Sequence, residues 1–259
     1  LRAVAVPTAT EDGDHAPRRQ LPGNAQDVPQ GVVGVGVVHH DQERLSLFDP
    51  LEAAGHGAAL GHAARHGAPS RAGSEAARVR GAVCDAAHAA AGAKYIVQPS
   101  MGGTAYKSLE GLKAYCDYFN EVGAMCNAKG IRFGYHNHDK EFSTKLEGQT
   151  IYDYMLANTD PKKVMFQIDL YWAVVGGANP VDYFNKYPGR FELWHIKDEK
   201  VIGESGKVDF AAIWKGLKVS GMKYGVVEVE RYSTNNFTDC QKSIDFLNAA
   251  DYVKMPLKK

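Results

Sequence analysis

Short runs of β-branched and aromatic residues alternate with amphipathic segments along the second part of the chain. Five runs predict strands, at 94–99, 131–138, 164–172, 190–198 and 224–232. The intervening segments carry apolar residues at helical spacing, as Leu112, Tyr115, Phe119 and Val122 do. Strict alternation of strand and helix implies parallel strands with right-handed crossovers. The pattern therefore predicts either a (β/α)₈ barrel or a doubly wound sheet.

Capping residues set the predicted helix boundaries. Small polar side chains accept hydrogen bonds from the first turn of a helix, and glycine often follows its last turn. On this basis we expect helices at 108–129 with Ser108 as N-cap, at 151–158, after Asn179-Pro180, at 210–220 after Asp209, and at 239–249 after Thr238.

Four of the predicted strands end in pairs of polar side chains two residues apart. The pairs are His136 and His138, Gln167 and Asp169, His195 and Lys197, and Glu228 and Glu230. Because alternate residues of a strand face the same side, the members of each pair share a face. Chemistry at the carboxyl ends of several parallel strands is typical of barrels, so the polar residues favour the barrel.

Several of these side chains suit a divalent cation. Asp169 ends an apolar strand, where a carboxylate is costly unless it is paired or bound to a metal; the structural alternative is a helix N-cap. His195 is the best single ligand candidate, and Glu228 and Glu230 add two carboxylates on one face. An oxygen-rich site with one or two imidazoles suits Mn, Mg, Co or Zn.

Two strand histidines, His136 and His138, precede Glu141 by a few residues. Imidazole suits proton transfer near neutral pH and metal ligation alike, although a histidine in a strand is also common as a structural residue. The sequence leaves these roles open.

Trp172 and Lys197 are the candidate substrate contacts. The indole of Trp172 could form a wall against a sugar ring, or pack in the core. Lys197 could hold a carbonyl, hydroxyl or phosphate oxygen, or form a salt bridge with Asp198 or Glu199.

The first part of the chain differs in composition. Residues 1–93 contain no Lys, Ile, Tyr, Trp or Met, and hold 22 Ala and seven of the ten His. Folded domains rarely lack five residue types over such a span. We therefore expect an anomalous Ala/Gly/His/Arg-rich segment at 1–81, which is foreign or out-of-frame sequence or the degenerate first strands of a barrel. The barrel region is expected at 82–259.

Net charge and hydropathy limit the classes of binding partner that we expect. With 30 basic and 30 acidic residues, the chain lacks the basic field of a nucleic-acid-binding protein. No apolar stretch approaches the roughly 20 residues of a membrane span. We expect a cytoplasmic protein without nucleic-acid or membrane partners, and a homo-oligomer is compatible with the sequence. Leu1–Thr10 has no proper apolar region for export, but it lies in the anomalous segment, so an export signal stays open.

At these motifs the chain resembles the xylose isomerase-like TIM barrel superfamily, and within it the bacterial sugar phosphate isomerase/epimerase group. The resemblance covers about residues 82–255 and implies a barrel with strands 4–8 in 94–259 and strands 1–3 atypical or missing in 1–93. It rests on Gly92-Ala-Lys-Tyr-Ile-Val, Tyr135-His-Asn-His-Asp-Lys-Glu-Phe142, Asp169-Leu-Tyr-Trp172, Gly189-Arg, His195-Ile-Lys-Asp198 and Val227-Glu-Val-Glu230.

The resemblance also implies one divalent metal ion. By position, Asp169, His195 and Glu228 are ligands, and Glu141 or His136 is the fourth, since many relatives carry Glu where this chain has His136. If Glu141 is the ligand, His136 and His138 flank the substrate as acid/base groups. Glu230 is a further candidate for proton transfer, and Trp172 and Lys197 for substrate binding.

The implied activity is a metal-dependent isomerase or epimerase acting on a sugar, sugar phosphate or keto-sugar, with proton transfer through an enediolate. Loss of a β-hydroxyl from the same enediolate would instead give an inosose-type dehydratase. A non-catalytic partial barrel is a further alternative. An endonuclease-IV-like DNA repair enzyme is least favoured, because only three histidines lie beyond residue 93.

Overall fold

A five-stranded parallel sheet organises residues 92–253, the part of the chain that the computed structural model describes. Its strands lie in the order β1 (Tyr95–Gln98), β2 (Arg132–His136), β5 (Val164–Asp169), β6 (Leu193–Lys197) and β7 (Tyr224–Glu228). Strands β3 (Lys145–Leu146) and β4 (Gln149–Thr150) form a separate antiparallel pair. All five predicted strands and the α/β class are confirmed, although the predicted runs 190–198 and 224–232 extend beyond β6 and β7. The expectations for 1–81, including barrel strands 1–3, lie outside the described residues.

Helices connect the strands as the alternation predicts. They are α1 (Leu109–Asn127), α2 (Lys140–Ser143), α3 (Ile151–Asn158), α4 (Leu170–Val175), α5 (Pro180–Lys186), α6 (Phe210–Lys215), α7 (Leu217–Ser220) and α8 (Asn236–Ala249), with a 3₁₀ helix at Gly103–Tyr106. Within the described ranges, no helix is both long and apolar enough to cross a membrane.

Most predicted caps are confirmed, and two helix boundaries are wrong. The Ser108 hydroxyl accepts a hydrogen bond from the Gly111 amide at 3.1 Å. Helix α8 begins after Asn235, whose side chain accepts from the amide of Thr238 at 3.0 Å, so the expected cap is itself in the first turn. The predicted helix 210–220 is divided at Gly216, where the ring of Phe184 packs so closely that a Cβ would lie 2.6 Å from it.

The predicted strand 164–172 is also too long. The strand ends at Asp169, and the chain turns directly into α4. One carboxylate oxygen of Asp169 accepts a hydrogen bond from the Trp172 amide at 2.8 Å, which makes this residue the helix N-cap. Asp169 is thus a helix N-cap, which was the structural alternative to metal binding.

The two faces of the sheet differ in character. Along β6, Trp194 packs parallel to Phe184 of α5, with ring centroids 5.1 Å apart, and meets Trp214 of α6 edge-on at 5.5 Å. Because side chains alternate along a strand, the neighbouring His195 and Lys197 face the opposite side. The apolar core thus lies between sheet and helices, and the polar strand ends face the concave side.

Curvature brings the two edges of the sheet together at its amino end. Tyr95 of β1 and Tyr224 of β7 are in edge-to-face contact, with centroids 5.7 Å apart, although their strands lie at opposite edges. Nearby, the carboxylate of Glu192 accepts hydrogen bonds from Arg132 at 2.6 Å and Lys223 at 2.8 Å. A flat doubly wound sheet would keep its edges apart, so this contact favours the barrel architecture.

Replacing Glu192 with Gln removes the charge that Arg132 and Lys223 share. Because a hydrogen bond to a charged group contributes about 1.5–3 kcal/mol, we expect the free energy of unfolding to fall by that amount. Urea unfolding of the full chain measures it. As a control, Asp117→Asn removes the partner of Lys113, and both side chains are mostly exposed, so the loss should stay below about 1 kcal/mol. Equal losses would contradict the role of Glu192.

Candidate functional site

Three buried side chains from neighbouring strands converge at the carboxyl end of the sheet. Ligand atoms of His136 (β2), Asp169 (β5) and His195 (β6) all lie within 4.8 Å of one another. Asp169 stands directly opposite His195 in the parallel register. Glu228, at the end of β7, places a carboxylate oxygen 3.6 Å from Nε2 of His195. Four of the residues predicted from the strand ends therefore meet in one place.

Each of the three side chains has a buried atom that makes no hydrogen bond with the described residues: Nδ1 of His136, Oδ2 of Asp169 and Nδ1 of His195. Of these, Nδ1 of His195 and Oδ2 of Asp169 lie 3.2 Å apart and form an ion pair when the imidazole is protonated. An unsatisfied buried polar atom costs about 1–3 kcal/mol, more when it is charged. A cation held among these atoms would remove that cost, so the donor set fits a divalent metal ion.

The two imidazoles differ in their proton affinity. Burial lowers the pKa of His136 well below its ordinary value, and the neighbouring His195, His138 and Lys197 act in the same direction. His136 is therefore neutral and has a lone pair to offer. Burial also disfavours the charged form of His195, but Asp169 and Glu228 outweigh it and raise the pKa of His195.

Lys197 lies beside this group, in contact with two carboxylates. Its ammonium is 3.1 Å from Glu228 and 2.6 Å from Glu230, and 5.9 Å from the centre of the Trp172 ring. Burial opposes the charge, but the two carboxylates raise the pKa of Lys197, so it remains an ammonium.

The predicted alternative partners of Lys197 are engaged elsewhere. Asp198 accepts hydrogen bonds from the amides of Glu199 at 2.7 Å and Gly203 at 3.0 Å, and from the hydroxyl of Ser205. Glu199 pairs with Lys207 at 2.8 Å. The salt bridges of Lys197 thus lie inside the site, where its ammonium can face a bound molecule.

Glu141 lies outside the converging group. One of its carboxylate oxygens accepts hydrogen bonds from the hydroxyls of Tyr106 and Tyr135, both at 2.5 Å, and the other from the backbone amide of His138 at 2.9 Å. Burial and the charge of Glu141 raise the pKa values of both phenols, so they remain protonated donors. Its role as fourth ligand stays a prediction, whereas His136, the other candidate, has its ring nitrogen in the group.

His138 and Trp172 are half-buried and border the group. The ring of His138 meets that of His136 edge-on, with centroids 4.9 Å apart, and lies 6.1 Å from the ring of Trp172. The rings of His136 and His195 are 4.7 Å apart. An imidazole and an indole therefore lie where a molecule approaching the group would meet them.

Asn137 is a residue of the site that sequence reasoning missed. Its side-chain oxygen accepts from the amide of Asp169 at 3.1 Å, and its side-chain amide donates to the carbonyl of Asp169 at 3.4 Å. These two bonds continue the pairing of β2 and β5 beyond its last backbone partners. The only signal was an amide between two polar strand-end residues, which is too common to identify such a role.

Comparisons with known proteins agree with this architecture. The family model of the xylose isomerase-like TIM barrel matches residues 49–250. The inosose dehydratase of Clostridium beijerinckii is 30% identical over 100 residues, which are 39% of this chain and 33% of that protein. A sugar phosphate isomerase/epimerase structure from Parabacteroides distasonis superposes with a TM-score of 0.60 at 38% identity, over 64% of this chain and 63% of that one.

A more distant structure shares the fold alone. It is the IolI protein with a bound zinc atom, with a TM-score of 0.53 and 16% identity over 70% of this chain and 69% of that one. The chain spans about a third of the length of the C. beijerinckii protein. The family match begins inside the segment 1–81, whose anomalous character stays a prediction.

Binding of Zn²⁺ or Mn²⁺ to the full chain should weaken as the pH falls. The raised pKa of His195 means that a metal ion must displace its proton, so affinity is lost below that pKa and is constant above it. Asp169→Asn should weaken binding by about 100-fold or more. Equilibrium dialysis with metal analysis, at a series of pH values through the titration range of imidazole, measures both effects.

The matched control is Asp182→Asn, which changes an exposed carboxylate in the first turn of α5. It should bind metal like the unaltered chain. Equal losses in Asp169→Asn and Asp182→Asn, or binding that strengthens on acidification, would contradict a site at the strand ends.

Proposed function

Because the chain belongs to the xylose isomerase-like TIM barrel family, we propose that it is a divalent-metal-dependent sugar isomerase or epimerase. The observation that carries the proposal is the convergence of buried ligand atoms from His136, Asp169 and His195, all within 4.8 Å of one another, at the carboxyl ends of adjacent strands. Barrel enzymes carry their chemistry at this end.

Four side chains would hold the metal ion: His136, Asp169, His195 and Glu228. We choose His136 as the fourth ligand over Glu141, because both oxygens of Glu141 already accept hydrogen bonds. The bound cation would polarise a substrate carbonyl and stabilise the charge of an enediolate. Mn, Mg, Co and Zn all suit this mixture of oxygen and nitrogen ligands.

His138 is the proposed proton-transfer group. It is half-buried beside the metal group and makes no hydrogen bond through its ring among those described, so its imidazole can take a proton from carbon and return it. Glu230 is the second candidate acid/base group, and its contact with Lys197 holds it at the site. Return to the other face of the same carbon gives an epimer, and return to the adjacent carbon gives an isomer.

Lys197 and Trp172 would orient the substrate. The ammonium of Lys197 can donate to a carbonyl or hydroxyl oxygen while Glu228 and Glu230 balance its charge. Trp172 lies under this ammonium and beside His138, where its ring can cover the apolar face of a sugar. A small sugar, sugar phosphate or keto-sugar is the proposed partner, and oligomeric state and compartment stay predictions.

A dehydratase acting on an inosose is the second candidate. The relation to the C. beijerinckii inosose dehydratase favours it. The chemistry begins with the same proton removal, after which a β-hydroxyl leaves as water instead of the proton returning. Lys197 could protonate that hydroxyl.

Deuterium exchange tests the common first step. The full chain with Mn²⁺ is incubated with a panel of ketoses, sugar phosphates and inososes in D₂O, and NMR follows loss of the proton next to the carbonyl. We expect exchange, reduced by about 10²–10⁴-fold in His138→Ala, because a general base contributes that much. Asp182→Asn should exchange like the unaltered chain.

Analysis of the reaction products distinguishes the isomerase or epimerase from the dehydratase. Water loss yields an unsaturated or deoxy ketone, whereas epimerisation and isomerisation conserve the mass. A chain that binds metal but exchanges no proton with any member of the panel would contradict both activities.

A further inference from the structure

Glu141 is a buried carboxylate that the proposed chemistry does not use. It is 1% exposed, and its three hydrogen-bond donors come from β2 and from the segments that follow β1 and β2. Tyr106 belongs to the 3₁₀ helix after β1, Tyr135 to β2, and His138 to the connection between β2 and α2. A single side chain thus joins the segments that follow two neighbouring strands.

The carboxylate lies on the helix side of the sheet. Tyr135, which donates to it, packs against Phe119 of α1 with ring centroids 5.4 Å apart. The next residue, His136, faces the opposite side, as alternation along a strand requires. Glu141 therefore approaches the connection from behind the metal group, which explains why it reaches the backbone of His138 and not the cation site.

The segment 136–138 is held from both sides. Asn137 makes two hydrogen bonds with the backbone of Asp169, and the amide of His138 donates to Glu141. With these backbone positions fixed, the ring of His138 lies against His136 and near Trp172. The bond to Glu141 therefore adds, at His138, to the restraint that Asn137 supplies one residue earlier.

We propose that Glu141 is a positioning residue, which acts through the backbone of His138 to hold that imidazole at the mouth of the metal group. The expected effect on the rate of proton transfer rests on the proposed function. The hydrogen bonds that position His138 do not depend on it. It assigns Glu141 a role distinct from metal ligation.

Glu141→Gln is the sharpest variant. The negative charge is lost in either orientation of the Gln amide: with its oxygen toward the tyrosine hydroxyls, its NH₂ group opposes the amide of His138, and with its oxygen toward His138, that hydrogen bond becomes a weaker neutral one. Volume and the tyrosine contacts are preserved. Glu192→Gln is the matched control, because it changes a buried carboxylate at the other end of the sheet.

Amide hydrogen–deuterium exchange gives the structural readout. In Glu141→Gln, we expect faster exchange in peptides covering 136–142 and unchanged exchange in β5 and β6. Metal binding should be retained, in contrast to Asp169→Asn. In Glu192→Gln, exchange at 136–142 should rise no more than exchange in β5 and β6, because its effect is on global unfolding. Loss of metal binding in Glu141→Gln, or unchanged exchange at 136–142, would overturn the proposal.

A double-mutant cycle gives the functional readout. We expect Glu141→Gln to lower kcat for proton exchange by about 10-fold with KM nearly unchanged, since proton transfer is affected more than binding. In a His138→Ala background, Glu141→Gln should cost less than about 2-fold, because the residue through which it acts is gone. Equal losses in both backgrounds would overturn the proposal.

Two provisions separate the possible failures. If Glu141→Gln does not fold, Tyr106→Phe removes one donor to the carboxylate and should raise exchange at 136–142 to a smaller extent; unchanged exchange there would count against the proposal. If the unaltered chain exchanges no substrate proton, the proposed function fails, and amide exchange with metal binding still decides whether Glu141 fixes the segment.

Discussion

Asp169 and His195 lie opposite each other on adjacent parallel strands, which buries a carboxylate and an imidazole side by side. Burial of this kind is unfavourable unless each polar atom finds a partner. The surrounding structure supplies partners for part of the pair: the Trp172 amide for one oxygen, and the Asn137 side chain for the backbone of Asp169. Oδ2 of Asp169 and Nδ1 of His195 make no hydrogen bond with the described residues and lie 3.2 Å from each other.

Lys197 balances the charge of the same region. Glu228 ends β7 and Glu230 follows two residues later, and a cation balances the charge of both carboxylates. The lysine ammonium contacts both. Its four-carbon stem crosses from β6 to the end of β7, so the register of these two strands determines the contact. The pairing of β6 with β7 therefore determines which carboxylates the ammonium of Lys197 can reach.

The strand ends could be predicted from the sequence because two simple rules apply there: alternation fixes which residues share a face, and parallel pairing fixes which ends meet. Loop-borne contacts could not be predicted. Glu141 depends on the direction in which the chain leaves β2, and the role of Asn137 depends on its alignment with Asp169, which no residue pattern encodes. The predicted start of α8 was wrong because both Asn235 and Thr238 are residue types that cap helices. The predicted end of the strand at Trp172 was wrong because the apolar pattern of the strand continues into α4.

Two buried carboxylates, Asp169 and Glu141, differ in how many of their oxygens accept hydrogen bonds from the described residues. In Asp169, one oxygen caps α4 and the other has no hydrogen-bond partner among the described residues. In Glu141, both oxygens accept hydrogen bonds from the protein. A carboxylate whose lone pairs are all directed at donors of its own fold has little to offer a cation, whereas one held by a single bond is both oriented and available. By this criterion we propose that Asp169 is oriented for binding and that Glu141 fixes the segment beside it.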